Sequence, residues 1–222
     1  IVTNYHVIEG GDKITVDFAN GEEFAAKVIG TDHETDMAVI QIQSSRTFDY
    51  VEFHVGPDVR IGDWVLAIGN PFGIGQSSSV GIISAIGRER VDSGSYVDYL
   101  QTDATVNRGN SGGPVFDSNG EVVGVTVSIF GTRHGVSFLI PIDLAEESWT
   151  RIITDQTLER VTLGVSVENF VISNDTYSRS SGVLVESISE NSVASIIGLE
   201  VNDVIIDLNG ITINSIPELV AQ

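Results

Sequence analysis

The sequence predicts a mainly β protein, with a large β domain followed by a smaller domain of mixed strands and helices. Three observations predict this class. Apolar and polar residues alternate at several places in the first 140 residues, and turn-forming pairs such as Asn20-Gly21 separate these stretches. After Pro141 the spacing of apolar residues changes to that of a helix. Many short strands separated by turns are typical of barrels or sandwiches rather than of a parallel α/β sheet.

The strands of the large domain follow from this alternation. Ile14, Val16 and Phe18 share one face of the first clear strand, and Asn20-Gly21 predicts a hairpin turn because both residues tolerate positive φ. Further strands are predicted over residues 24–29, 37–42, 64–68, 80–86 and 122–129.

A helix after Pro141 is predicted to close the large domain. Its apolar residues recur at helical spacing and are Ile142, Ala145, Trp149 and Ile152. The polar segment 154–160 is the best linker candidate, which predicts domains over residues 1–153 and 161–222.

The smaller domain is predicted to mix both element types. The expected order is a strand (163–167), a polar loop (173–181), a strand (183–188), a helix (192–197) ending at Gly198, a strand (204–208), the turn Asn209-Gly210 and a helix starting near Pro217.

Composition excludes several classes of function. The 222 residues contain 11 Lys+Arg against 31 Asp+Glu, a formal net charge of −20, whereas proteins that bind nucleic acids or anionic membranes need a basic surface. The absence of cysteine excludes disulfides, zinc–thiolate sites and thiol nucleophiles. Apolar runs are too short for a transmembrane helix.

The segment Gly109-Asn110-Ser111-Gly112-Gly113-Pro114 is the strongest chemical signal. A serine needs a base to remove its proton and donors to stabilise the resulting oxyanion. Glycines beside Ser111 allow consecutive amides to converge, so the amides of Gly109 and Ser111 are candidates for an oxyanion hole. The alternative is a tight turn that merely exposes a serine.

The base must be one of four histidines. His6 ends the predicted apolar strand 1–6, where a side chain can be held rigidly, whereas His33, His54 and His134 occupy less informative positions. Without further evidence, a hydrogen-bonded or solvated histidine without catalytic function is the alternative for each of them.

A carboxylate is needed to orient the imidazole, and Asp36 is the best candidate because it opens the apolar strand 37–40. Asp32 is the nearby competitor, although it belongs to the preceding turn.

Several segments together resemble the HtrA (DegP-type) serine proteases. They are residues 2–8 around His6, 35–40 around Asp36, 67–73, 101–104 and 107–114 around Ser111. The resemblance covers about residues 1–153 and implies a chymotrypsin-like double β-barrel with the active site between the barrels. It implies that Ser111 is the nucleophile, His6 the general base and Asp36 the residue that orients His6.

The resemblance also implies the surroundings of the site. The loop 105–109 would shape the oxyanion hole, and Thr105, Thr126 and Ser137 would line part of the S1 pocket. Because none of these is acidic, an aliphatic P1 preference is expected. No metal or organic cofactor is implied.

Residues 161–222 resemble a PDZ domain, in which Leu163, Gly164 and Val165 would form the carboxylate-binding loop and a following strand would accept a peptide. A small α/β module without peptide binding is the alternative. Relative to the family pattern, two strands are expected to be missing before Ile1, and the PDZ domain is expected to be truncated at the C-terminus.

The function implied by the resemblance is that of an ATP-independent serine endopeptidase of protein quality control, which cleaves unfolded or misfolded polypeptides through an acyl-enzyme. Peptide C-termini would be partners of the PDZ domain, nucleic acids would not, and a homotrimer or higher oligomer in the periplasm or cell envelope is expected by analogy. The alternatives are a catalytically silent chaperone or scaffold on the same fold, and a processing protease with one target.

Overall fold

The computed structural model describes residues 1–55, 59–88, 97, 99–127, 135–154, 163–175 and 178–220. The chain forms two compact units, Ile1–Leu158 and Glu159–Gln222. The predicted linker 154–160 falls outside the described residues except for Thr154.

The first unit begins with a four-stranded antiparallel sheet in the order β1-β4-β3-β2. Its strands are β1 (Val2–Asn4), β2 (Ile14–Asp17), β3 (Glu23–Asp32) and β4 (Met37–Ile42). One turn of helix, α1 (Tyr5–Ile8), follows β1. Because Asn4 pairs with Met37, the residues after β1 lie beside those that precede β4.

Six further strands form a closed antiparallel barrel in the order β10-β7-β6-β5-β8-β9. They are β5 (Trp64–Gly69), β6 (Ser77–Arg88), β7 (Tyr99–Thr102), β8 (Pro114–Phe116), β9 (Val122–Val127) and β10 (Ser137–Pro141). The barrel and the first sheet confirm the predicted mainly β class.

Helix α2 (Ile142–Ile153) joins the sheet to the barrel. One core cluster contains buried side chains from β4, β9, β10 and α2, including Met37, Val125, Ile140 and Trp149. The helix also packs closely on β3, because a Cβ at Gly30 would lie 2.8 Å from Ile152 Cγ2. The sheet, barrel and helix therefore share one core, which fixes the positions of the loops between them.

The predicted strand 1–6 is too long at its C-terminal end. The strand stops at Asn4, and His6 lies in α1. Asp36 precedes β4 in a turn with φ 57°, a left-handed conformation that Asp adopts more readily than most residues.

The second unit contains a three-stranded antiparallel sheet, a small hairpin and two short helices. Its elements are β11 (Val165–Asp175), β12 (Ser178–Ile188), α3 (Val193–Ile197), β13 (Val204–Ile205), β14 (Asp207–Leu208), β15 (Ile211–Thr212) and α4 (Ile216–Val220). The sheet order is β11-β12-β13, so β11 is an edge strand among the described strands.

The prediction of a polar loop over 173–181 is wrong. Ser173 pairs with Arg179 and Asp175 with Ser178, so β11 and β12 continue through most of this segment. Cross-strand hydrogen bonding stabilises strands here despite the turn preference of Ser, Asn and Asp. The predicted strand 204–208 is divided into β13 and β14.

The β8–β9 hairpin is closed by Asp117, which accepts hydrogen bonds from the amides of Asn119 (2.8 Å) and Glu121 (3.0 Å) and contacts His54 Nδ1 (3.2 Å). Burial alone would raise the pKa of Asp117, but these backbone hydrogen bonds and those from the His54 and Asn119 side chains outweigh burial and lower it.

Asp117→Asn is therefore expected to reduce stability at neutral pH. A lowered folded-state pKa contributes stability above the unfolded pKa, and that contribution is lost as pH falls through the folded pKa. Urea unfolding should show a loss of about 1–2 kcal/mol at pH 7 that shrinks toward pH 3. The exposed Asp49→Asn is the control, and a difference that does not change with pH would contradict this assignment.

Candidate active site

His6 and Asp36 form the centre of the candidate site. The antiparallel pairing of β1 with β4 brings α1 against the turn before β4, and His6 Nδ1 lies 2.7 Å from Asp36 Oδ2. The side chain of Asp36 is 10% exposed and that of His6 is 28% exposed. The predicted base and carboxylate therefore interact at a position where the carboxylate is shielded and the imidazole can reach solvent.

Further hydrogen bonds fix the orientation of Asp36. Its Oδ1 accepts a bond from the His6 amide (3.0 Å), and its carbonyl oxygen accepts bonds from the Tyr5 amide (2.8 Å) and from Asn4 Nδ2 (3.1 Å). Both carboxylate oxygens thus face His6. The Asp32 carboxylate, by contrast, is bound by Thr35 and Ser148.

Ser111 lies in the turn before β8, and β9 holds this turn. The Gly112 amide donates to Thr126 O (3.0 Å), and the Thr126 amide donates to Gly113 O (2.9 Å). The Thr126 hydroxyl donates to Asn110 O and lies 3.1 Å from Gly113 O. These bonds fix the backbone on both sides of Ser111.

Close packing joins the Ser111 turn to β1. Gly112 has φ 77°, and a Cβ there would overlap Thr3 Oγ1 and lie 2.9 Å from the Asn4 nitrogen. Only glycine permits this approach. The turn that carries Ser111 therefore rests on β1 two residues before His6, so the fold brings the segments of all three predicted triad residues together.

The predicted oxyanion hole is bounded on one side by the segment after β5. Gly109 has φ 100°, its carbonyl oxygen accepts from the Asn70 amide (3.4 Å), and the Phe72 amide donates to Arg108 O (2.8 Å). The amides of Gly112 and Gly113 are used in bonds to backbone carbonyls. Gly109 and Ser111 stay the predicted oxyanion donors.

The three predicted S1 residues lie in different environments. Thr105 is exposed, and its carbonyl oxygen accepts from Ser79 Oγ (2.8 Å). Ser137 Oγ donates to Ala104 O (3.0 Å), which places β10 beside the 104–105 segment. Thr126 is fully buried and its hydroxyl binds the Ser111 turn, so its side chain supports that turn, and its place in the S1 pocket stays a prediction.

Sequence reasoning missed several polar residues around the site. Asn4 and Thr35 are fully buried, Ser148 is 2% exposed, and Asn110 Oδ1 is buried without a hydrogen-bond partner among the described residues. Ser148 had a detectable signal, because it is a polar residue on the apolar face of α2.

The other histidines occupy separate environments. The centroids of the His33 and Tyr5 rings are 3.9 Å apart. His134 lies outside the described residues. Within the described ranges, His54, Asp117 and Glu121 form the group whose ligand atoms lie within 4.8 Å of one another. Because both Asp117 oxygens already accept hydrogen bonds, this group closes the hairpin rather than defining an open metal site.

The predicted carboxylate-binding loop opens the second unit. The Leu163 carbonyl accepts from the Ala194 amide (2.9 Å), and the Gly164 carbonyl accepts from the Ser189 amide (2.8 Å). Gly164 has φ 76°, and a Cβ there would overlap Ser192. Val165 then begins the edge strand β11.

Comparison with known proteins assigns both parts of the chain. The trypsin-like peptidase domain family matches residues 1–125, and the PDZ domain family matches residues 153–222. The structure of the HtrA-type protease AlgW with tripeptide is 34% identical, with a TM-score of 0.85 over 99% of this chain and 75% of that chain. The chain belongs to the HtrA-type protease family. This confirms the resemblance predicted from the sequence and the order of a trypsin-like domain followed by a PDZ domain.

Other similar proteins are also named as serine proteases. The serine endoprotease from Yersinia pestis is 34% identical, with a TM-score of 0.75 over 99% of this chain and 73% of that chain. A protein of Rhizobium meliloti named as a probable periplasmic serine endoprotease, DegP-like, is 43% identical over 95% of this chain and 43% of its own length. A Haemophilus influenzae protein named as a probable periplasmic serine protease, do/HhoA-like, is 38% identical over 100% of this chain and 49% of its own length. The chain thus spans less than half the length of these curated relatives.

Among the helices in the described part of the HtrA-type chain, none combines the length and apolar character needed to cross a membrane.

Proposed function

We propose that this HtrA-type chain is a serine endopeptidase in which Ser111 is the nucleophile, His6 the general base and Asp36 the residue that orients His6. The observation that carries the proposal is the 2.7 Å contact between His6 Nδ1 and Asp36, beside the closely packed turn that holds Ser111.

The arrangement supports acyl transfer in a defined order. Because Nδ1 of His6 faces Asp36, its Nε2 is the atom available to Ser111. Nε2 takes the Ser111 hydroxyl proton as Oγ bonds to the scissile carbonyl carbon, and the negative charge moves to the carbonyl oxygen. The imidazolium then protonates the leaving amine, which leaves an acyl-enzyme on Ser111. Water, deprotonated by His6, hydrolyses that ester and restores the serine.

The groups around His6 and Ser111 meet the electrostatic requirements of this cycle. Asp36 accepts a bond from the protonated Nδ1 and stabilises the imidazolium, while its second oxygen is held by the His6 amide. Amides of Gly109 and Ser111 would stabilise the oxyanion, a contribution of about 10²–10³ in rate for one donor.

We further propose that unfolded polypeptides are the substrates and that the second unit binds peptide C-termini. Strand β11 lies at the edge of the described sheet, where a peptide would pair as an added strand, and the turn at Leu163-Gly164 lies at its start. The names of the relatives support a periplasmic setting. A role in protein quality control and a homotrimer or higher oligomer are proposed from the resemblance to the HtrA family.

Digestion of casein by the purified chain tests the proposal. Cleavage into peptides is the expected result. Binding of C-terminal peptides without any hydrolysis would instead favour the alternative of a silent chaperone or scaffold.

Gly164→Ala is expected to weaken binding of a C-terminal peptide by more than about tenfold, because the new methyl group would overlap Ser192 and strain a left-handed backbone. Gly210→Ala is the matched control, since Gly210 has φ 84° but no atom within 4 Å of its Cβ position. Fluorescence anisotropy of a labelled peptide measures both. Equal losses of peptide affinity in the two variants would show that Gly164 has no specific role in peptide binding.

A further inference from the structure

A buried polar group includes Thr35, the residue before Asp36, and we name Asp32, Thr35 and Ser148 the Asp32 cluster. Their exposed fractions are 3%, 0% and 2%. Asp32 ends β3, Thr35 lies in the following turn, and Ser148 comes from the middle of α2. The cluster therefore joins three separate segments of the first unit.

Hydrogen bonds within the Asp32 cluster converge on one carboxylate. Asp32 Oδ2 accepts from Thr35 Oγ1 (2.6 Å) and from Ser148 Oγ (3.0 Å), and Oδ1 accepts from the Glu34 amide (3.1 Å). The two hydroxyl oxygens are also 3.0 Å apart. Since each hydroxyl has one proton, two protons serve these three contacts, and donation of both to Asp32 leaves none between the two hydroxyl oxygens.

The Asp32 cluster acts on the residue next to Thr35. Asp36 has φ 57°, and its left-handed conformation turns the carboxylate toward His6. On its C-terminal side, Met37 is fixed by pairing with Asn4. On its N-terminal side, the side-chain bond of Thr35 to Asp32 fixes the backbone.

Helix α2 is held firmly enough to serve as a support. Ile152 packs against Gly30, two residues before Asp32, and Trp149 lies beside Phe53 with 4.8 Å between ring centroids. An aliphatic core at this position would also stabilise the fold. A satisfied polar cluster additionally specifies one backbone arrangement of the turn.

We infer that Asp32, Thr35 and Ser148 are positioning residues for catalysis, which hold Asp36 in the conformation that orients His6. This inference rests on the proposed function, because it assigns the Asp32 cluster a role in that reaction. Loss of the Thr35 hydroxyl should misalign the imidazole without changing the substrate-binding surface. We therefore expect kcat to fall and KM to stay nearly unchanged.

A pair of substitutions at one position tests the inference. Thr35→Val removes the hydroxyl at nearly constant volume, whereas Thr35→Ser keeps it. We expect kcat for a casein-derived peptide to fall about 10–100-fold in Thr35→Val with KM within about twofold, and to stay within about threefold of wild type in Thr35→Ser. Val65→Ala, in the buried core of the barrel, is a control for reduced stability alone.

A spectroscopic measurement separates positioning from stability. The proton between His6 Nδ1 and Asp36 should give a low-field NMR resonance in the wild type and in Thr35→Ser, and this resonance should be weakened or shifted in Thr35→Val. Because the resonance does not require turnover, it tests the inference even if the wild-type chain proves inactive and the proposed function fails.

The inference is overturned if folded Thr35→Val retains wild-type kcat and the wild-type resonance and loses only thermal stability. If Thr35→Val does not fold, Ser148→Ala replaces it, with an expected loss in kcat of about fivefold and the same change in the resonance. Unchanged kcat and resonance in Ser148→Ala would equally overturn the inference.

Discussion

Replacing Ser111 with alanine is expected to abolish casein hydrolysis, with a loss of about 10⁶ in kcat. The substitution removes the only atom that forms the acyl bond. The backbone of the turn is held by bonds from Gly112 to Thr126 and from Gly113 to Asn110, none of which uses the Ser111 side chain. The variant should therefore fold normally and still bind C-terminal peptides.

Ser118→Ala, at an exposed position in the β8–β9 turn, is the control for this experiment and should cleave casein at the wild-type rate. Circular dichroism and peptide binding establish that Ser111→Ala is folded. Undiminished cleavage by folded Ser111→Ala would exclude Ser111 as the nucleophile.

Asp36→Asn is expected to lower kcat by about 10⁴-fold. The change keeps the side-chain shape, and asparagine tolerates the left-handed conformation at φ 57°. The asparagine oxygen would still accept from the His6 amide, so the NH2 group would face Nδ1 of His6. Nδ1 would then accept a hydrogen bond and the imidazole proton would lie on Nε2. A protonated Nε2 cannot accept the proton of Ser111.

Steady-state kinetics of Asp36→Asn beside the exposed control Asp12→Asn measure this effect. The double variant Asp36→Asn/Ser111→Ala should lose no more activity than Ser111→Ala alone, because triad members act as one unit. Activity of Asp36→Asn within tenfold of wild type would exclude Asp36 as the orienting residue.

Sequence patterns predicted the parts of the structure that depend on local chemistry. Alternation of Ile14 and Val16 predicted β2, and the apolar spacing after Pro141 predicted α2. Gly198 ends α3 with φ 82°, as expected of a glycine after a helix. The pairing of His6 with Asp36 was expected from the family resemblance, and its detail depends on the β1–β4 register.

Other features depend on long-range contacts that local patterns cannot reveal. His6 lies on a helical turn because Asp36 binds the Tyr5 and His6 amides and so ends the strand. The contact of Ser148 with Asp32 spans 116 residues along the chain. The burial of Thr126 follows from the position of the Ser111 turn against β9.

Labelling with a fluorophosphonate probe, followed by peptide mapping, tests the central claim most directly, because the adduct forms only on a serine activated by a base beside oxyanion donors. We predict one adduct, on the peptide that contains Ser111, which forms much more slowly in Asp36→Asn and is absent in Ser111→Ala. An adduct on a different serine, or no adduct on a folded chain that still binds C-terminal peptides, would contradict the proposed active site.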